Sequence, residues 1–150
     1  MIFERYDCIY CGMTAESRDH VVAHSYESNS VSKDWSHDKI VPSCKECNCL
    51  LSDLFLPSIA ERADYITGIL KVRYRKLLSS PDWSQKELAA LGKRLRDYVK
   101  GEQNKKRTVQ MRISYAELMA NNTCLTPQAY WESMGRFQPI LNQETKAPTI

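Results

Sequence analysis

Two Cys-x-x-Cys pairs constrain this chain more than anything else in it: Cys8-Ile9-Tyr10-Cys11 and Cys44-Lys45-Glu46-Cys47. Each spacing lets a tight knuckle present two thiolates to one ion. Two knuckles complete a tetrahedral four-cysteine site with no open position, the pattern of a structural zinc. Residues 12–43 separate the pairs, more than a compact zinc ribbon holds, so something is inserted between the knuckles. The rival, a thioredoxin-like redox pair, needs a βαβ setting that the pattern lacks. Cys49 sits beside the second knuckle but outside its spacing, and Cys124 reads as a small buried hydrophobe. The first residues, Met-Ile-Phe-Glu-Arg, carry charge from Glu4 and no apolar signal core. Reduced thiols and a cytoplasmic setting are therefore expected.

Other classes fall away quickly. With 43% hydrophobic and 26% charged residues the balance is that of a globular domain. Its five glycines are too scattered for a P-loop, a dinucleotide fingerprint or a nucleophile elbow. No apolar run reaches the 18 residues of a membrane span; Cys49 to Ala60 is broken by Ser52, Asp53, Pro57 and Ser58. The net charge of +3 is unevenly spread. Residues 1–56 hold nine acidic and five basic side chains, residues 57–112 fourteen basic and six acidic, and residues 113–150 three acidic and two basic. All three histidines lie in the first segment. A positive segment beside a metal-like site suits a polyanionic substrate, and equally a solvated helix surface.

Val21-Val22 and Lys39-Ile40-Val41 read as short strand segments around a polar loop, and residues 44–56 as a helix ending at Pro57. Capping boxes at Ser58-x-x-Glu61, Ser84-x-x-Glu87 and Ser114-x-x-Glu117 predict three helix starts. Thr126-Pro127 predicts a last short helix to about Gly135, followed by an extended tail. Ile59, Ala63, Ile66, Leu70, Val72, Tyr74 and Leu77 form one apolar stripe, and Leu88, Leu91, Leu95 and Tyr98 a second. The short connection between them predicts an antiparallel helix pair. Trp35 reads as a loop anchor.

Between the knuckles stands Asp19-His20-Val21-Val22, and Cys47 is followed at once by Asn48. The order CxxC, Asp-His-Val-Val, polar loop, Lys-Ile-Val-Pro, CxxC-Asn resembles the HNH, or ββα-metal, endonuclease family. It is similar above all to the zinc-stabilised branch found in phage HNH nucleases and phage junction-resolving endonucleases. The resemblance covers roughly residues 6–56. It implies an α+β fold: a small ββα-metal core over 1–56 with a four-cysteine zinc site, then a mostly helical extension over 57–150. It also implies DNA phosphodiester hydrolysis leaving 5′-phosphate and 3′-hydroxyl ends, in a bacterial or phage-infected cell. By family position, Asp19 and Asn48 hold a catalytic Mg²⁺ or Mn²⁺ through hard oxygen donors, and His20 is the general base. Adjacent strand residues point to opposite sides, so a strand end or bend is needed to bring Asp19 and His20 to one site.

Two positions depart from the family. Lys39 stands where the middle Asn is expected, so Asp38 or a backbone group braces the base-bearing loop, or the site is weakened. Ala23 replaces the usual proline. His24, His37 and Lys39 are auxiliary candidates for phosphate or metal. Arg73, Lys76, Lys100, Lys105, Lys106 and Arg107 are candidates for the DNA backbone of a double-stranded or branched partner. A homodimer through the helical half is one route to cutting both strands. The alternative is a zinc-stabilised DNA-binding or protein-scaffold module whose nuclease site has degenerated.

Overall fold

The computed structural model describes residues 6–21 and 39–134. Strands β1 (Ser17–His20) and β2 (Ile40–Ser43) form a two-stranded antiparallel sheet. Six helices follow among the described residues: α1 (Lys45–Leu51), α2 (Ile59–Arg73), α3 (Arg75–Leu78), α4 (Gln85–Ala89), α5 (Lys93–Asn121) and α6 (Pro127–Met134). The architecture is mixed and mostly helical, compatible with the expected α+β class. No helix among the described residues is long and apolar enough to cross a membrane. Trp35, His24 and His37 lie outside the described residues, as does the tail after Met134.

β1 lies earlier than expected: it is the polar run Ser17-Arg18-Asp19-His20, with Val21 just beyond it. Pairing rather than propensity specifies it. Ser17 is opposite Ser43, Asp19 opposite Val41 and His20 opposite Ile40. The Val21 N–H donates to Lys39 C=O at 3.0 Å, so in this alternating ladder Arg18–Pro42 and His20–Ile40 are the non-hydrogen-bonded pairs. Their β2 carbonyls point outward, and each finds a partner. Pro42 C=O accepts from Ile9 N–H at 3.0 Å, and Ile40 C=O accepts from the buried Trp131 indole Nε1–H at 2.8 Å. Pro42 has no N–H to lose at this outward position. Trp131 brings α6 onto β2 and meets the Tyr6 ring edge-on.

Helix α1 ends at Leu51 instead of running to Leu56, because Ser52 leaves the helix at φ +41° with its N–H on Asn48 C=O. Helix α2 starts as expected: Ser58 Oγ accepts the Glu61 N–H at 3.1 Å, although the Glu61 carboxylate takes the Ser58 hydroxyl rather than its backbone. Ile59, Ala63, Ile66 and Leu70 are buried, while Val72 is exposed, because two residues past Leu70 is the opposite side of α2. The Ser84 capping box is complete and opens α4. The expected continuation through Leu91 and Tyr98 breaks, since the Arg96 guanidinium caps α4 by binding the carbonyls of Leu88, Ala89 and Leu91. Leu95 and Tyr98 are accordingly exposed.

The third box does not start a helix. Ser114 lies inside the 29-residue α5. Val109, Ile113 and Ala116 face the core on both sides of it, so packing favours an unbroken helix over a cap. Helices α2 and α5 do pack antiparallel: Lys71 pairs with Glu117 at 2.7 Å, and Arg112 lies beside Tyr74. The packed part of α5 is its C-terminal half, not the Leu88–Tyr98 stripe. One core holds residues from both sides of the expected boundary at 56/57, from Cys8 and Leu51 to Ile66 and Ala116.

Gly12 closes the first knuckle at φ +75°, and a Cβ there would stand 3.1 Å from the Tyr115 ring. Both facts oppose a side chain. Gly12→Ala is expected to lower stability by about 1–2 kcal/mol from the left-handed backbone alone. The ring contact adds to this. Urea unfolding measures it, with a shift in midpoint and an unchanged slope.

Candidate functional site: a cysteine cluster and the end of β1

The first knuckle is a small turn. Asp7 and Thr14 form an antiparallel bridge, Cys8 N–H donates to Met13 C=O, and Gly12 N–H donates back to Cys8 C=O at 2.8 Å. The Ile9–Pro42 bond docks this turn on β2. In the second knuckle Cys44 is the N-cap of α1, with the Cys47 N–H aimed at Cys44 Sγ at 3.4 Å. That placement also excludes Asn48 as the cap.

The four sulfurs of Cys8, Cys11, Cys44 and Cys47 are buried and lie within 4.8 Å of one another. A tetrahedral Zn–S bond of about 2.3 Å implies sulfurs roughly 3.8 Å apart. Cys11 and Cys44 stand at 3.6 Å. The donor set therefore fits a metal ion and is compatible with structural zinc. Crowding divides the thiols. Cys11 is pulled down, chiefly by Cys44, while Cys8 and Cys47 are pushed up, chiefly by Cys11. Cys11 also pushes Cys44 up, but Cys47 and Cys8 outweigh this and leave it at about 7. Ligation needs all four as thiolates, so a bound dication would displace the protons that this crowding favours on Cys8 and Cys47.

Cys49 is exposed and outside the cluster, as its spacing suggested. Cys124 is exposed too, so it is not the buried hydrophobe expected; it sits in the polar connection between α5 and α6.

A second polar cluster lies where β1 ends. Asp19 is buried and accepts three hydrogen bonds: Arg62 Nη2–H to Oδ1 at 2.7 Å, Arg62 Nε–H to Oδ2 at 2.8 Å, and the Tyr10 hydroxyl to Oδ2 at 2.5 Å. Arg62, wholly buried, spends its remaining Nη1 on the carbonyls of Val21 and Leu56. Burial opposes the guanidinium charge, yet Tyr10 and Asp19 hold Arg62 above its ordinary value, so it stays charged. Burial likewise pushes the Tyr10 phenol well up, which keeps it a donor. Burial also pushes the Asp19 carboxyl up, against the pull of Arg62 and Tyr10. Such a fork is a charge-assisted, bidentate pair of the strong kind.

His20 is also buried, at 8% exposure. The ladder runs in regular register through His20, so regular pleating turns its side chain to the face opposite Asp19. Asn48 is half-buried on α1, which packs against β1. Lys39 immediately precedes β2, and its backbone carbonyl takes the Val21 N–H.

The basic candidates separate. Lys76, Lys100, Lys105 and Arg107 are exposed, and Arg73 is exposed beside Glu46. Lys106, expected to face DNA, is instead buried, with Nζ on Ser80 C=O at 2.6 Å and on Asp82 Oδ1 at 3.0 Å. It ties α5 to the loop after α3.

Sequence reasoning missed Tyr10, Arg62 and Arg112. For the arginines a signal was present: each occupies a core-facing position of its helix, Arg62 between Ile59 and Ile66, Arg112 between Val109 and Ala116. Comparison with protein-family models, with curated proteins and with solved structures finds no match to this chain.

Proposed function

We propose that this protein is a metal-dependent HNH endonuclease that hydrolyses DNA phosphodiester bonds, built around a structural zinc in the four-cysteine cluster. The observation that carries this reading is the arrangement around Asp19-His20: a buried pair at the end of β1, with β2 alongside, α1 packed against β1, and a cysteine pair on either side in the chain. Asp19 and Asn48 are the donors for the catalytic Mg²⁺ or Mn²⁺. Among the described residues Asp19 Oδ1 accepts one hydrogen bond, from Arg62, which leaves a lone-pair site there for a hard cation. A divalent ion there supplies charge stabilisation for the phosphoryl oxygens. Arg62 and Tyr10 fix the carboxylate in place, and His20, which the regular ladder turns to the other face of β1, takes a proton from the attacking water once β1 bends at its end to bring the imidazole round. The exposed Lys76, Lys100, Lys105 and Arg107 serve as sequence-independent phosphate contacts. Four reduced thiols suit a reducing compartment such as the cytoplasm.

The test is supercoiled plasmid incubated with zinc-loaded protein and Mg²⁺ or Mn²⁺. His20→Ala and His20→Asn are expected to slow nicking about 10²–10⁴-fold, with zinc content and melting temperature close to wild type. The ratio of nicked to linear product reports whether copies pair to cut both strands. Wild type that is inert on plasmid and on branched DNA while holding its zinc sinks this reading.

A second reading is favoured by one observation: both Asp19 oxygens are engaged by Arg62 and Tyr10, with Lys39 in place of the middle Asn. The chain is then a zinc-stabilised DNA-binding module with a degenerate centre. It binds DNA with steep salt dependence, never cuts, and is indifferent to His20→Ala. A protein scaffold shows neither cutting nor salt-dependent DNA affinity.

A further inference from the structure

We propose that Arg112 is the positioning cation of the cysteine cluster, directing Nε–H and Nη2–H to its thiolates and so coupling metal loading to the docking of α5. The inference rests on the structural-zinc reading.

Arg112 is 7% exposed, yet only part of its fork is used. Nη1 donates to Glu46 Oε2 at 3.0 Å, and the guanidinium carbon lies 6.0 Å from the centre of the Tyr74 ring. Nε and Nη2 are buried with no hydrogen-bond partner among the described residues. Buried donors left unmet are costly, and the Glu46 pair and the Tyr74 ring leave these two unexplained. The neighbours supply the explanation. Tyr115, one turn further along α5, stands against Gly12 next to Cys11, and the Arg112 fork itself holds Glu46. Glu46 stands inside the second knuckle, between Cys44 and Cys47, and Cys11 belongs to the first. Helix α5 thus reaches both knuckles, with Arg112 buried between its contacts to them.

The charge balance points the same way. Four thiolates around a dication leave two negative charges in a buried site. Glu46 adds a third, shared among Arg73 at 3.5 Å, the Tyr74 hydroxyl at 3.0 Å and Arg112. Arg73 is half-exposed, whereas Arg112 is buried on Glu46, where water cannot replace it. N–H···S bonds to the ligands are one means by which a protein stabilises a tetrathiolate, and loss of such partners weakens metal binding about 10–100-fold.

The test uses the full-length protein with zinc and with cobalt as a spectroscopic stand-in. Chelator competition gives the zinc affinity, and the sulfur-to-cobalt charge-transfer band reports the electron density on the thiolates. Arg112→Met is expected to weaken zinc about 10–100-fold and to move the band to longer wavelength, because unbonded thiolates give up electrons more readily. Arg112→Lys keeps charge without the fork and recovers part of both. Ile113→Ala, on the same helix face, is the control: it loosens α5 but leaves the band in place. The proposal is overturned if Arg112→Met matches wild type, or if it behaves as Ile113→Ala does, weaker binding with an unmoved band. Wild type that binds no metal overturns the zinc reading and this inference together, whereas a wild-type affinity in Arg112→Met removes only the inference.

Discussion

Stripping the metal is expected to unfold this protein, not merely to soften it. Each strand has four residues, and a sheet of two such strands does not stand alone in water. The knuckles supply what the sheet lacks: the first docks on β2 through Ile9 and Pro42, and the second caps α1. Structural zinc contributes on the order of 10–16 kcal/mol of apparent binding energy in zinc-finger peptides. The whole stability of a domain is about 5–15 kcal/mol. The first quantity equals or exceeds the second, so the metal-free state has little left to hold it folded. Circular dichroism melts with zinc and with excess chelator measure this. A cooperative transition with zinc and its loss with chelator is the expected pair. Cys47→Ala should behave as chelated protein does even with zinc present. Ligation requires thiolates, so acid should act in the same direction, zinc being released as pH falls. An unchanged melt in chelator means that the four thiols are ordinary core.

The second large effect belongs to Arg62. Arg62→Met leaves the Asp19 carboxylate 3% exposed with only Tyr10 to meet it. Breaking a buried pair from one side costs about 3–5 kcal/mol, which at this chain length lowers the melting temperature by roughly 2–4 °C per kcal/mol. The double variant Arg62→Met with Asp19→Leu removes both charges and should regain much of the loss, since an apolar pair needs no desolvation. Strict additivity of the two single effects contradicts a coupled pair. The carbonyls of Val21 and Leu56 lose their donor in either case, so recovery stays incomplete.

The cysteine cluster was legible because the spacing of a knuckle is a covalent fact, independent of what packs around it. The starts of α2, α4 and α6 were legible for a similar reason: a serine or threonine hydroxyl meets a backbone N–H three residues on. Ser114 carries the same local signal and starts nothing. There the apolar faces before and after it are one face, and tertiary packing outweighs a cap of about 1 kcal/mol. Leu95 and Tyr98 continue a good stripe into a part of α5 that nothing among the described residues covers. Arg62, Arg112 and Lys106 were hidden by a rule of thumb that sends charge to the surface. All three sit at helix positions that spacing assigns to the core, and each finds or faces an opposite charge there. Of the proposed nuclease centre, the positions of Asp19 and Asn48 on β1 and α1 follow from residue order. The engagement of Asp19 by a residue 43 positions later could not have been read from spacing.

The Trp131 indole on Ile40 C=O spans 91 residues of sequence. During synthesis, β2 and the second knuckle leave the ribosome long before the ring that satisfies the outer edge of that strand. At about 5–20 residues per second the interval is several seconds. Throughout it, the nascent chain carries an open strand edge, which is a template for pairing with another chain. If the cluster takes a structural zinc, early capture would be a safeguard as well as a staple: it would close the small sheet before its last helix has been made.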